Sequence, residues 1–353
     1  MKSNIYILFA LVFLFQVNTS FSQGCEGDDP TTNDSTSTKS VKIFGYIQPQ
    51  FDYNFDGGDN KNTFKFKRAR LGVRGNIQKD FSYYFMLEAS PFIGGDDQED
   101  AYLMDAFISY TKYNWAEVSV GTFKQPFSLD VATPCHSLTT IERSIVADQI
   151  VAPQRDFGLM LLGGNNYTKL NYWLAIMNGR GLKMVDNNTK KDIIGRATYK
   201  LTGFLTVGGS FRYGYPKLNN NEEERTSFGG ELLVELDKLK IQSEFIHDEG
   251  AYQPGAGGGC GVDPIDLDGL TSEGAYIMAS YNVNEKFQPV FKYEYFDPNT
   301  ELKNNIDYLE RMTLGVNYFF NEKVRFQLNY LANIETVVNV DNDVLLAQMQ
   351  IKF

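Results

Sequence analysis

The chain ends on LLAQMQIKF, residues Leu345–Phe353, and this stretch carries the clearest fold signal in the sequence. Apolar side chains at the odd-numbered positions alternate with mainly polar ones, among them Gln348, Gln350 and Lys352. Because successive side chains of a β-strand point to opposite faces, one face of this strand suits lipid and the other suits water. A terminal phenylalanine that closes such a strand is typical of outer-membrane barrels.

The same alternation recurs from Val41 onward in segments of about ten residues, and no window keeps a helical period. The tight connections between segments fall at residues 76–80, 112–114, 163–166, 201–203, 237–238, 284–286 and 321–323. The long connections lie near residues 56–62, 94–100, 124–154, 179–191, 216–225, 250–272, 297–305 and 336–342. Eight hairpins joined by seven tight turns predict an all-β fold, a transmembrane antiparallel β-barrel of about 16 strands.

A soluble β-sandwich would show the same alternation, so the positions of the aromatic residues matter. The chain contains 27 Phe and 21 Tyr. Tyr281, Tyr318 and Tyr330 lie near predicted tight turns, whereas Tyr46 and Tyr213 approach the opposite strand ends. Aromatic residues at both strand ends are typical of the girdles of membrane barrels. The pattern therefore favours a membrane barrel over a sandwich.

The amino-terminal 40 residues differ in composition from the rest of the chain. Lys2 precedes an apolar run from Ile5 to Phe15, and small residues follow before Gln23. This pattern predicts a secretory signal peptide over residues 1–22, which is removed on export. Residues 23–40 are almost entirely polar and predict a flexible periplasmic leader, which leaves residues 41–353 for the barrel. No later apolar run approaches the roughly 20 residues of a membrane helix.

Three cysteines, Cys25, Cys135 and Cys260, are an odd number, which argues against a fold defined by disulfides. Cys135 and Cys260 lie in long connections, where they either pair or remain separate thiols. Lipid attachment at Cys25 is an alternative to a free amino-terminal leader, although the residues before it depart from a lipoprotein signal.

The chain has 33 basic and 44 acidic side chains and a formal net charge of −11. This balance excludes a generic nucleic-acid binder, whose phosphate contacts require a basic surface. Many of the acids, including Asp28, Asp96 and Glu222, lie in the predicted leader and loops. Salt screens these charges from the centre of a barrel, so the charges of the inner face matter more than the net charge.

Phasing the second predicted strand places a row of arginines on its inner face. Leu71 and Val73 face lipid, so Arg68, Arg70 and Arg74 face the lumen. A charge that faced lipid at mid-bilayer would cost about 2 to 4 kcal/mol. Guanidinium groups stay charged and match the geometry of oxyanions, so this row would guide anions through the pore.

The same phasing turns further charges of both signs inward. The basic ones include Arg196, Arg311 and Arg325. The acidic ones include Glu88, Asp105, Glu231, Glu244 and Glu294. The alternative to an anion-guiding row is therefore a mixed lumen, in which these charges form cross-strand ion pairs that each contribute little.

The longest predicted connection, Lys124 to Gln154, is expected to fold into the barrel and narrow the pore. In that case Lys124, Arg143 and Arg155 enter the constriction. The alternative is an extracellular loop held by its own contacts.

Several blocks of the sequence resemble the phosphate-selective porin O and P family. They are FGYIQPQF at residues 44–51, FKRARLGVRG at 66–75, VGTFKQPF at 120–127, IER at 141–143 and RDFG at 155–158. The resemblance implies a sixteen-stranded outer-membrane porin, often trimeric, with the third loop folded inside and anions passing basic side chains. Arg68, Arg70, Arg74, Lys124 and Arg143 lie in the matching blocks. Inward carboxylates dilute their positive field, so the family alone does not assign the solute.

These observations predict a passive channel for small, mainly anionic solutes such as phosphate, with outer-membrane lipid as surroundings, a homotrimer as assembly and no cofactor. One alternative is a plugged structural or adhesive barrel. Another is a barrel hydrolase, but His136 and His247 are the only histidines, and neither lies in a nucleophile or zinc motif. Both are expected to be exposed in loops, and no catalytic residue is assigned.

Overall fold

The computed structural model describes residues 41–353 apart from 57–60, 94–100, 183–184, 187, 218–221, 253–264, 303–307 and 335–340. The predicted signal peptide, the leader, Cys25 and Cys260 lie outside the described residues. No helix in the described ranges is long and apolar enough to cross a membrane.

The described residues form sixteen antiparallel strands, each paired with its neighbour in sequence. They are β1 Lys42–Asn54, β2 Lys61–Ile77, β3 Phe81–Glu88, β4 Tyr102–Tyr110, β5 Glu117–Lys124, β6 Arg155–Gly163, β7 Leu170–Met177, β8 Asp192–Lys200, β9 Leu205–Gly214, β10 Arg225–Glu235, β11 Leu239–Gly250, β12 Leu270–Tyr281, β13 Phe287–Asp297, β14 Leu309–Phe319, β15 Val324–Ile334 and β16 Val344–Lys352. Because β1 also pairs with β16, the sheet closes into a barrel. The predicted fold class is confirmed.

Connections of three to six residues join the strands at one end, which we call the turn end. They lie between β2 and β3, β4 and β5, β6 and β7, β8 and β9, β10 and β11, β12 and β13, and β14 and β15. The longer connections lie at the opposite, long-loop end. All seven tight turns therefore fall where alternation predicted them. Besides the strands, the part of the chain that the structure describes forms the short helices α1 Leu129–Ala132 and α2 Ile145–Ile150 and two 3-10 turns, Ser90–Ile93 and Cys135–Ser137.

The two faces of the barrel wall differ as the alternation requires. Large apolar side chains are exposed on the outer face around the barrel, for example Leu71, Val120, Leu159, Ile277 and Leu314. The inner face carries the buried polar residues and an aromatic cluster formed by β1, β3, β4 and β5. In that cluster Phe44, Tyr84, Phe107 and Phe123 contact one another with ring centroids 5.1 to 6.0 Å apart.

A β-bulge in β2 changes which side chains face inward. Gln48 of β1 pairs with Arg68, whereas the next residue, Pro49, pairs with Phe66, so Lys67 is the extra residue on β2. Proline has no N–H to give to the ladder, and bulges are among the few places where a sheet accepts it. With the extra residue, Lys67 and Arg68 both turn toward the lumen, because a bulge shifts the phase of side chains by one position.

Closure of the barrel depends on the pairing of the first and last strands. Gly45 N donates to Phe353 O at 3.1 Å, and Phe353 N donates to Gly45 O at 2.9 Å. A side chain at position 45 would run into the backbone carbonyl oxygen of Arg70 and the ring of Phe353. Glycine therefore permits the close approach of three strands at this seam.

We expect Gly45→Ala to lower the temperature at which the barrel unfolds in detergent, because its Cβ forces strands apart at a cost of about 1 to 3 kcal/mol. The matched control is Gly230→Ala, because a Cβ at Gly230 of β10 meets nothing within 4 Å. Heat-dependent electrophoretic mobility measures both variants. Equal unfolding temperatures for the two would contradict the close packing at Gly45.

Candidate functional site

The third long connection, residues 125–154, lies inside the barrel rather than above it. Val131, Val146 and Ile150 are fully buried and belong to the core cluster that includes the inner aromatic residues. Connecting loops normally run over the surface, because their backbone polar groups need water or other partners. This loop must therefore find those partners on the inner wall.

Two wall carboxylates bind the helical parts of the loop. Glu244 of β11 accepts hydrogen bonds from Ser128 Oγ at 2.9 Å and from Leu129 N at 2.9 Å. Glu294 of β13 accepts one from Ile145 N at 2.9 Å. These donors lie in the first turns of α1 and α2, where backbone N–H groups have no partner within the helix. Each carboxylate thus supplies the acceptor that a backbone N–H at the start of a helix lacks.

Neutral amides bind the middle of the loop from the other side of the barrel. Asn329 Oδ1 accepts from Ile141 N at 2.8 Å, and Asn317 Nδ2 donates to Thr139 O at 2.9 Å. Gln350 Nε2 donates to His136 O at 3.1 Å. The loop thus crosses the lumen between a wall of carboxylates and a wall of amides.

Most inward charges on the wall form ion pairs. Arg70 pairs with Glu88 at 2.6 Å, and Arg155 pairs with Asp105 at 3.0 Å. Arg196 pairs with Glu231 through two bonds of 2.8 and 2.6 Å. Further pairs join Arg225 to Asp248 at 2.9 Å and Lys292 to Glu294 at 3.2 Å. Each pair has no net charge, so these residues contribute little to the field of the lumen beyond a few ångströms.

Two arginines are joined instead by glutamines, across four neighbouring strands. Arg68 Nη1 donates to Gln48 Oε1 at 2.8 Å, Gln48 Nε2 donates to Gln350 Oε1 at 2.7 Å, and Arg325 Nη2 donates to the same oxygen at 3.0 Å. We call these four residues the arginine band. Arg325 is 7% exposed, and within the described ranges no carboxylate lies within ion-pair distance of it. The band therefore keeps a net positive charge.

A cavity of about 270 Å³ lies between the loop and the turn end of the barrel. Arg325 and Gln350 of the arginine band line it, with His136 of the loop above. Its other charged lining residues are Lys240, Lys323, Lys352 and Glu322. Four basic groups and one acidic group thus surround one space next to the band.

The comparisons with known proteins assign the family. The model of the family described as phosphate-selective porin O and P matches residues 41–223 and 216–353. The chain belongs to this family. Porin O of Pseudomonas aeruginosa is 29% identical over 223 residues, which are 60% of this chain and 48% of that protein. The chain thus matches about half of the length of this curated relative.

Solved porins share the fold. OmpF of Salmonella typhi, solved in complex with daunomycin, aligns with a TM-score of 0.67 at 10% identity over 90% of this chain and 98% of that one. The trimer form of OmpT of Vibrio cholerae aligns with a TM-score of 0.60 at 12% identity over 90% of this chain and 100% of that one. The family match and the shared barrel fold together identify the molecule as a barrel of the porin type.

Within this porin, some of the basic residues singled out in the sequence come together at the loop. Lys124 Nζ donates to Thr133 O at 3.2 Å, and Arg143 Nη2 donates to the same oxygen at 2.8 Å. Arg70 Nη1 lies 3.1 Å from Cys135 Sγ on the same segment. These three cations therefore surround residues 133–135.

Other predicted residues of the porin lie apart from the loop. Arg74 is half-buried, with its guanidinium 5.3 Å from the centre of the Phe44 ring near the turn end. Arg311 donates to Asn333 Oδ1 at 2.7 Å toward the long-loop end. Arg68, Arg70 and Arg74 thus each contact a different side chain: Gln48, Glu88 and Phe44 respectively.

Sequence reasoning missed three features of the site. Lys67 turns inward at the bulge, and Pro49 on the partner strand is the signal that could have shown it. The amides of the band, Gln48 and Gln350, were passed over because they carry no charge. The expectation that both histidines are exposed in loops is wrong: His136 is buried against Tyr46, and His247 lies within β11, stacked on Phe228.

We expect Glu244→Ala to loosen the first part of the third loop in the porin. The change leaves Ser128 Oγ and Leu129 N without their acceptor, and each buried unsatisfied group costs about 1 to 3 kcal/mol. Hydrogen exchange of a peptide covering residues 126–133 should become at least about tenfold faster, as a loss of 1.4 kcal/mol implies.

The control for this variant is Glu310→Ala, whose carboxylate is bound by Tyr293 OH outside the loop contacts. Exchange in residues 126–133 should stay unchanged in the control. The same unchanged exchange in Glu244→Ala would show that the carboxylate does not hold the loop.

Proposed function

We propose that this porin is a passive diffusion channel for small solutes, with a preference for anions such as phosphate and other oxyanions. The observation that carries the proposal is the arginine band, which retains positive charge in a lumen whose other charges are largely paired. Guanidinium groups stay ionised at all physiological pH values and bind oxyanions through two parallel hydrogen bonds. The name of the family gives phosphate as the first oxyanion to test.

The lysines of the cavity extend the positive charge beyond the band. Lys240, Lys323 and Lys352 line the same space as Arg325, and Glu322 is the one carboxylate among its described lining residues. A solute anion that passes the loop thus remains among cations on the turn-end side. The remaining predicted positions, including Arg70, Arg143, Arg155 and Arg196, then serve to hold the loop and wall rather than to bind the solute.

A plugged structural barrel is the competing function, and one observation favours it. The third loop contacts inner-wall residues from β11 to β16 and also β2, so it fills much of the cross-section. Conductance separates the two functions. Discrete ohmic steps of the purified protein in a planar bilayer support the channel, and their absence supports the plug.

We also infer that the porin is exported by the predicted signal peptide and assembles in the outer membrane as a homotrimer. Strands β3 to β8 have eight or nine residues, whereas β10 to β15 have eleven or twelve. A strand needs about 9 to 11 residues to span the bilayer. The wall formed by the shorter strands β3 to β8 is therefore better suited to contact with other copies of the chain than with lipid.

The homotrimer predicts a protein mass of three chains for the detergent-solubilised barrel in light scattering. Heating above the dissociation temperature should give single chains. A mass of one chain before heating would rule out the trimer.

The anion preference predicts the effect of charge removal from the band. We expect Arg325→Gln to lower the anion-to-cation permeability ratio by about twofold or more, because a buried guanidinium next to the pore acts at close range in a low dielectric. The reversal potential across a potassium chloride gradient measures this ratio. The control is Lys238→Gln, which removes the same charge from an exposed tight turn. Equal ratios in both variants and the unaltered protein would contradict the role of the band.

A further inference from the structure

A carboxylate of the third loop lies inside a group of cations on β2. These cations are Lys65, Lys67 and Arg68, which we call the β2 cluster. Lys67 and Arg68 are adjacent in sequence and reach the lumen together only because of the bulge opposite Pro49. Glu142 of the loop enters this cluster from the centre of the barrel.

The contact is short and largely shielded from water. Lys67 Nζ lies 2.7 Å from Glu142 Oε1, and the side chains are 8% and 15% exposed. Burial alone would raise the pKa of the Glu142 carboxyl, but the charge and hydrogen bond of Lys67, with Arg68 and Lys65 nearby, hold that pKa below its usual value. Glu142 is therefore present as the anion.

The position of the cluster places it where a solute would arrive from outside. Along β2, Lys65 lies nearest the long-loop end and its side chain is 43% exposed, whereas Lys67 and Arg68 lie deeper and are buried. Lys65 also forms an ion pair with Asp52 of β1. An anion entering from the long-loop end meets Lys65 first and Glu142 next.

We propose that Glu142 is a tethered carboxylate that occupies an oxyanion-binding site formed by Lys65, Lys67 and Arg68, so that a solute oxyanion must displace it to bind. This inference rests on the proposed function, because it requires that anions pass the loop. It assigns to the loop a second role besides narrowing the pore: the loop supplies a competitor for the solute.

The side chain of Glu142 can leave the cluster while the loop stays in place. Its backbone carbonyl accepts separately from Thr140 Oγ1 at 2.7 Å, and Lys292 Nζ holds the next carbonyl, that of Arg143, at 3.1 Å. Among the residues that the structure describes, Glu142 Oε2 has no hydrogen-bond partner. Displacement therefore breaks the contact of one oxygen with Lys67 and no backbone anchor.

Competition of this kind suits a channel. Conduction requires binding strong enough to admit the ion and weak enough to release it. A carboxylate that returns to Lys67 when the solute moves on would lower the affinity of the site and speed release. Without Glu142, the net formal charge of the cluster with Asp52 changes from +1 to +2, which follows from three bases and the remaining acid.

The test is Glu142→Gln, which keeps the size and an oxygen for Lys67 but removes the charge. The measurement is block of chloride current by inorganic phosphate in planar bilayers. We expect phosphate to block the variant at a concentration about tenfold lower than the unaltered porin, since each 1.4 kcal/mol of binding free energy gives a factor of ten. The conservative variant Glu142→Asp should keep a block close to that of the unaltered porin.

Two further variants separate this site from a general change of charge. Glu285→Gln removes the same charge from the exposed tight turn between β12 and β13, away from Lys67, and should leave phosphate block nearly unchanged. Adding Lys67→Gln to Glu142→Gln should abolish the gain in block. The proposal fails if phosphate blocks Glu142→Gln at the same concentration as the unaltered porin, or no more strongly than it blocks Glu285→Gln. The proposed function fails separately, if the unaltered porin gives no ohmic conductance or prefers cations.

Discussion

The interior of the barrel depends on one constraint: a loop of about thirty residues lies in the lumen, and its backbone polar groups must find partners there. The inner wall meets this constraint in two ways. Glu244 and Glu294 accept from the first turns of the two short helices, and asparagine and glutamine side chains of β14 to β16 bind the segment between them. Many polar residues of the wall are thus needed to bind the loop, whatever they contribute to the passage of a solute.

This arrangement allows an acidic chain to place positive charge in its lumen. Many of the inward-facing carboxylates form ion pairs, such as Glu88 with Arg70 and Asp105 with Arg155. Others, such as Glu244, accept hydrogen bonds from the loop. The arginine band adds positive charge that no such ion pair cancels, because its arginines are joined through the neutral side chains of Gln48 and Gln350. The net charge of −11 therefore says little about the ion that the pore prefers.

The alternation of apolar and polar residues was sufficient to predict the barrel, but it was not sufficient to predict the contacts of the site. Alternation and turn residues gave sixteen strands and all seven tight turns, because in a barrel each strand pairs with its neighbour in sequence. The same phasing turned Arg68 and Arg70 inward. It could not show that Arg70 is neutralised by Glu88 on β3 or that Arg68 is linked to Arg325 across β1 and β16, since such contacts depend on strand register.

The bulge in β2 shows most clearly where strict alternation predicts the wrong face for a side chain. Strict alternation assigns Lys67 to the lipid face, where its charge would be costly, yet one extra residue turns it toward Glu142. His136 was misjudged for a related reason. A polar residue in a long loop is normally exposed, but this loop is buried inside the barrel, so His136 packs against Tyr46.

The position of the third loop is the central claim, and the natural thiol within it offers the most direct measurement. Cys135 is 2% exposed, and its Sγ lies 3.1 Å from Nη1 of Arg70 on the inner wall. In a variant with Cys25→Ser and Cys260→Ser, a charged thiol reagent should label the folded protein only after heat unfolding. Rapid labelling of Cys135 in the folded barrel would contradict a loop packed in the lumen.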